Sequence, residues 1–205
     1  MTSTKDLLYY IPAGQYGKEG VLALLEQHPE IKFVSLVGID LAGNDTDEKI
    51  PMAAFFDDYE AFFEGRAVQT DGSSVVLTNI ATLNNARVDM WGDPSVNWFV
   101  DYNYENIDEA TGLPTGTLRI PAFLMHNYRY VDSRSILKNS CDYVRAELLS
   151  LIKEHGLPGM PHVKADDVVD IIFTSATELE FWVKTPSRTV TKKELSVSQK
   201  LQEQY

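Results

Sequence analysis

The chain has 205 residues, 44% hydrophobic and 11% aromatic, enough for one large domain or for one small domain and part of a second. Thirty acidic against 18 basic residues give a net charge of −12, which repels phosphate backbones and argues against nucleic-acid binding. No apolar run reaches the roughly 18 residues of a membrane span, the start lacks a signal-peptide pattern, and the single Cys141 excludes an internal disulfide framework. A cytoplasmic protein, off the membrane, is the expectation.

Residues 1–30 read as an N-terminal helical extension. Val21, Leu24 and Leu25 share one helical face, and Pro29 stops it. "IKFVSLVGID" is apolar on both faces, as a central strand is. "LAGNDTDE" then turns through Gly43-Asn44 into "KIPMAAFF", a hairpin. The acidic string Asp40, Asn44, Asp45 and Asp47 invites a calcium-loop reading. Its glycine and terminal glutamate are misplaced for an EF-hand, which leaves a solvated turn.

A short helix is expected over "AAFFDDYEAFFEG", with Phe55, Tyr59, Phe62 and Phe63 as a core stripe and Gly65 as its end. "ARVDMWG", "SVNWFVDYNY" and "GTLRIPAFLMHN" read as strands, with a Gly112, Pro114, Gly116 loop before the last. After about residue 130 the period changes. "VDSRSILKNSCDYVRAELLSLIKEHG" predicts a helix capped by Asp132 or Ser133 and ended by Gly156. Its stripe is Leu137, Cys141, Val144, Leu148, Leu151 and Ile152, so Cys141 is expected in a core, with no histidine near it in sequence to make a nucleophile. "VVDIIFTSATELEFWVK" reads as a strand of a new sheet, and the final stretch is helix-like. A lone strand after a helix makes no domain, so the chain is expected to be cut short.

Three short stretches are candidates for chemistry. In "TELEFW", Glu178 and Glu180 point the same way along a strand, and hard divalent cations bind such oxygen ligands. A solvent-facing strand side explains the same spacing. "TDGSS" places Asp71 at the tip of a tight turn and is a poor serine-nucleophile elbow. "VDSRS" alone is a helix start.

Taken in order, a strand ending in Asp, a hairpin, a helix ending in "FFEG", then "DGSS", "VDSRSILK" and "TELEFW" resemble the N-terminal part of glutamine synthetase. That family shows a Phe-Asp-Gly-Ser-Ser turn, an Asp-Pro-Arg-Ser helix start and a Glu-x-Glu-Phe-Phe strand. The resemblance spans residues 31–183. It implies an α+β chain: a ubiquitin-like β-grasp sheet crossed by a helix over residues 31–130, then the opening of a truncated catalytic domain over residues 131–205.

The resemblance further implies an ATP-dependent ligase that joins ammonia to glutamate through a γ-glutamyl phosphate. Glu178 and Glu180 match the family's metal-binding glutamates, which help hold Mg²⁺ or Mn²⁺ beside ATP. Asp71 matches the aspartate that reaches the neighbouring subunit's site and binds and deprotonates ammonium. The implied partners are neighbouring subunits of a homo-oligomeric ring, with glutamate, ammonium and ATP as substrates. The family's later metal ligands, glutamate-binding arginines and nucleotide elements are missing from these 205 residues, so tight cofactor binding by this chain alone is not expected.

Three departures stand out. Thr70 replaces the Phe before Asp71, "VDSRS" lacks the Pro, and Arg87 falls where the family often carries a second acid. Asp89 is close but lies on the strand, so that role is not carried to it. Two other classes remain open: a stand-alone β-grasp interaction module without catalysis, and a relative of the γ-glutamyl-polyamine ligases.

Overall fold

The structure is a computed structural model that describes residues 7–178 and Glu180. It divides into two compact units, one up to Asp170 and one from Ile171 onward. The first is a mixed α+β unit with a mostly antiparallel sheet and three α-helices. Its elements are β1 (Tyr10–Ile11), α1 (Lys18–Glu26), β2 (Ile31–Ile39), β3 (Asp45–Pro51), α2 (Met52–Asp57), β4 (Val68–Asp71), β5 (Arg87–Gly92), β6 (Trp98–Ile107), β7 (Pro114–His126), β8 (Arg129–Tyr130) and α3 (Ser133–His155). Among the described residues no helix is long and apolar enough to cross a membrane.

The main path of the sheet runs β1-β6-β7-β2-β3. β2 and β7 pair in parallel, with Val34 opposite Leu118 and Leu36 opposite Ile120. All four side chains are fully buried, and the helices α1 and α2 close over the same core with Val21, Leu25, Met52 and Phe55. A strand apolar on both faces is thus the second of two central strands, as its sequence anticipates. Residues 7–30 also belong to this core, since Ile11 is buried on β1 and β1 pairs with β6.

The ladder of β7 changes partner at a proline. Pro121 is the last residue in register with β2, and Ala122 begins the pairing with β5. Proline has no N–H to donate, so it sits at little cost where one ladder ends. Its carbonyl is not wasted: Asp93 N–H donates to it at 2.8 Å.

The expected helix at residues 53–65 is broken in two. α2 stops at Asp57, Asp58 leaves helical geometry at φ −139°, and a 3-10 turn follows over Tyr59–Phe62. The Asp58 carboxylate accepts from Ala61 N at 3.3 Å and so caps the second piece. The aromatic stripe remains core. Phe55 packs on Tyr59 and Phe62 at 5.0 Å each. Gly65 has φ +66°, and a Cβ there would overlap the Trp91 indole, so the chain needs glycine at that turn.

The calcium-loop reading of the β2–β3 turn is excluded by what Asp40 already holds. One carboxylate oxygen accepts from Ala42 N and Asn44 N, each at 2.9 Å. The other accepts from Val76 N at 2.9 Å and Asn44 Nδ2 at 3.0 Å. Asp40 is fully buried, and its carboxylate is saturated by donors rather than free for a cation. It also ties the hairpin to the segment that follows the Asp-Gly-Ser-Ser turn.

Helix α3 starts and stops where expected, with Asp132 as N-cap and Gly156 as C-cap. Its stripe does not become core. Leu137 is 65% exposed, Val144, Leu148 and Leu151 are exposed, and Cys141 is only half-buried. The expected strand over residues 168–184 is likewise absent from its described part: residues 168–178 and Glu180 carry no strand. A strand is defined by a hydrogen-bonded neighbour, and sequence pattern alone does not provide one. The rest of that call, and the helix-like last stretch, lie outside the described residues.

Burial alone would raise the Asp40 carboxyl, but the hydrogen bonds from Asn44, Val76 and Ala42 outweigh it and hold it below the ordinary aspartate value of 3.8. A depressed folded value means the contribution is complete above the ordinary value and is lost as pH falls through the lower one. Asp40→Asn turns an amide –NH₂ toward two of the four donors. Urea unfolding at neutral pH should show a loss of about 2–4 kcal/mol. The variant should also lose less stability than the parent between pH 5 and pH 2.

Candidate functional site

Asp71 ends β4 and starts the Gly72–Ser74 turn. Its carboxylate accepts from Ser73 N at 2.7 Å, an Asx turn of the kind an Asp-Gly-Ser-Ser sequence forms. That backbone hydrogen bond, aided by the Ser73 side chain, holds the carboxyl below the ordinary 3.8. Gly72 N donates to Ala86 O at 2.7 Å, and a Cβ on Gly72 would meet Leu83 O at 2.2 Å. The turn is therefore pressed against the loop before β5. This leaves an exposed carboxylate at the tip.

The register adds what spacing could not. Asp71 lies directly opposite Arg87 on the paired strands β4 and β5. Directly opposed residues share a face. Arg87 Nε in turn lies 3.1 Å from Asp89. Arg87 is thus across the ladder from Asp71, with its guanidinium turned to Asp89. Behind it lies a cavity of about 410 Å³ lined by Arg87, Asp89, Trp91, His126 and their loop neighbours. His126 Nδ1 donates to Arg87 O at 2.9 Å and fixes the β7–β8 turn against β5.

A second constellation forms at the start of α3. Asp132 is fully buried and accepts from Ser135 N at 2.8 Å, Ser135 Oγ at 2.9 Å and Leu124 N at 3.2 Å. The cap thereby fastens the helix to β7. Arg134, the next turn residue outward, pairs with Asp93 at 2.6 Å and lies 4.9 Å over the Phe123 ring. Asp93 also accepts from Ser95 N at 2.9 Å and from Ser95 Oγ. Burial would raise its carboxyl, yet the Ser95 and Arg134 hydrogen bonds keep it below 3.8. A cavity of about 500 Å³ opens over this pair.

Sequence reasoning missed this second constellation. Arg134 was visible only as part of a helix start, and Asp93 was not singled out. A separation of 41 positions in the chain hides the pairing. The signal that could have found it is an Asp-Pro-Ser turn directly after a strand, since such an Asp tends to be buried by its own loop.

Glu178 and Glu180 lie in the second unit, and both are exposed. Among the described residues no group of three or more His, Cys, Asp or Glu side chains is arranged to hold a metal ion. Two carboxylates are too few for Mg²⁺ or Mn²⁺, which take about six oxygen ligands. The described residues do not build a metal centre by themselves.

No protein-family model matches the chain, and no curated protein matches it. Among solved structures the chain is similar to one described as "GmaS/ADP complex-Conformation 1", at 15% identity and a TM-score of 0.32, covering 54% of this chain and 21% of that one. The chain spans about a fifth of the length of that solved chain.

Asp132→Ala removes the cap and leaves the Leu124 and Ser135 amides unmet in the interior. Chemical denaturation should show a loss of about 2–4 kcal/mol. Asp132→Asn, which keeps one acceptor oxygen, should lose less.

Proposed function

We propose that this chain is the N-terminal part of a glutamine synthetase-like ligase, an enzyme that activates the γ-carboxyl of glutamate with ATP and joins it to an amine. The observation that carries the reading is the order of three motifs along residues 31–183: Asp-Gly-Ser-Ser, Asp-Ser-Arg-Ser and Glu-Leu-Glu-Phe. The geometry of Asp71 is in keeping with it. An ionised carboxylate at the exposed tip of a turn, braced from behind by the Leu83–Ala86 loop, is what an amine-binding group offered to a neighbouring site requires. The mixed sheet, with its central parallel pair and helix-crossed face, is in keeping with a β-grasp unit over residues 31–130.

In this reading Asp71 binds the protonated amine and accepts its proton, so that the free amine attacks the γ-glutamyl phosphate carbonyl; the C–O bond to phosphate breaks, phosphate leaves and the amide nitrogen gives up its further proton to solvent. Glu178 and Glu180 would add two oxygen ligands to a Mg²⁺ or Mn²⁺ centre completed by residues outside this chain. When bound, the metals supply charge neutralisation on the transferring phosphoryl group. The subunits would form a homo-oligomeric ring in the cytoplasm, with each Asp71 serving its neighbour.

Arg87 favours an amine other than ammonium as the acceptor. Arg87 stands across the ladder from Asp71 in place of the second acid that would help hold ammonium, and its guanidinium is turned to Asp89. A substituted amine of the kind the γ-glutamyl-amine ligases use depends less on a cage of charge and more on contact area.

The test uses a ligase that carries this sequence as its N-terminal part. Asp71→Asn should raise the KM for the amine by at least about tenfold and lower kcat, with the KM for ATP little changed. An unchanged KM for the amine would return Asp71 to a turn residue. Arg87→Glu should shift preference toward ammonium relative to methylamine. A preference unmoved by that change would overturn the amine assignment and leave the ligase reading standing.

A further inference from the structure

We propose that the cavity at the start of α3 binds a small molecule that carries an oxyanion on a planar ring, with a phosphate monoester as its chemistry. The cavity lies between the β7–β8 hairpin, the Asp93–Ser95 turn and the first two turns of α3, away from Asp71 and independent of the ligase reading.

The sign of the ligand follows from which groups remain uncommitted. The Asp93 carboxylate is 4% exposed, and its oxygens are occupied by Ser95 and Arg134. The Ser95 hydroxyl donates inward to Asp93, and the Ser135 hydroxyl donates inward to Asp132. No acceptor of these residues faces outward for a cation. The donors are another matter. Arg134 has one terminal nitrogen on Asp93, while its other, Nη1, has no partner among the described residues and is shut off from solvent. Lys138 stands one turn further along the helix, held only by an exposed pair with Asp142 at 2.6 Å. Exposed pairs of this kind are weak and exchange readily for a better anion.

The ring follows from the walls. The Arg134 guanidinium is stacked on Phe123, and Phe123 meets Tyr130 at 5.4 Å with Tyr130 still 47% exposed. The volume of about 500 Å³ far exceeds a free phosphate and suits a compact ring compound. The Arg134 guanidinium lies over the Phe123 ring, and a planar guanidinium is suited to forked recognition of phosphate. Because Nη1 is closed to solvent, binding includes a turn of the guanidinium toward the cavity, for which a side chain 37% exposed has room.

Calorimetric titration of the 205-residue chain with phenyl phosphate, inorganic phosphate and phenol tests this. Phenyl phosphate should bind at least about tenfold more tightly than either part alone and weaken as salt is added. Arg134→Lys can loosen the Asp93 turn, so Lys138→Gln on the exposed helix face carries the charge test. It should weaken phenyl phosphate about three- to tenfold and leave phenol unchanged, with an unaltered melting curve. Equal affinity for phosphate and phenyl phosphate would overturn the ring. Absence of phenyl phosphate binding at millimolar concentration, or binding indifferent to Lys138→Gln, would overturn the site.

Discussion

Everything in the first unit hangs on the two-sided pairing of β7. This strand pairs with β6 over Pro114–Arg119, with β2 over Gly116–Pro121, with β5 over Ala122–Met125 and with β8 at Met125 and His126. Leu118, Ile120 and Leu124, spaced by two and four residues, are fully buried along its length. A parallel pair cannot be closed by a tight turn, so the roughly 75 residues between β2 and β7 must return the chain to the sheet before the ladder can form. Most of the fold is this excursion. The hairpin, the aromatic turn, β4, β5 and β6 are all laid down before the strand that holds them together arrives.

Buried carboxylates then fasten the loops to that frame. Asp40 gathers the β2–β3 turn and Val76, Asp93 gathers its own turn and Arg134, and Asp132 gathers α3 and Leu124. Asp40 and Asp93 meet amides of their own turns, and Asp132 meets the free first-turn amide of α3 and the Leu124 amide of β7. An acidic side chain that accepts several backbone N–H groups is a compact way to satisfy them. A chain with a charge of −12 thus places part of its acid inside, where it organises backbone instead of repelling neighbours.

Strands were legible because their period and turn residues agreed: β2 and β5 fall where apolar residues and flanking turns put them, while β7 starts earlier, at Pro114, inside the Gly112–Gly116 stretch expected as a loop. The helix break at Asp58 was not, because "FFDDYEAFF" keeps helical spacing on both sides and only packing of Phe55 against Phe62 decides the bend. Asp71 was legible as a turn tip from Asp-Gly-Ser-Ser alone. That Arg87 faces it depends on register, which is set by the whole ladder and cannot be read from either strand. The fate of the α3 stripe was misread for a related reason. Periodicity reports that a face is apolar, while whether anything lies against it is a property of the rest of the molecule.

That uncovered stripe bears on how the chain behaves in bulk. Leu137, Tyr143, Val144, Leu148 and Leu151 are all exposed along 23 residues of helix, while the chain as a whole repels its copies through its acidic surplus. The repulsion acts over a Debye length, about 30 Å at 0.01 M salt and about 3 Å at 1 M, whereas attraction between apolar faces is hardly screened. Colloidal stability is therefore a contest that ionic strength decides: dilute buffer keeps molecules apart, and concentrated salt lets greasy surfaces meet.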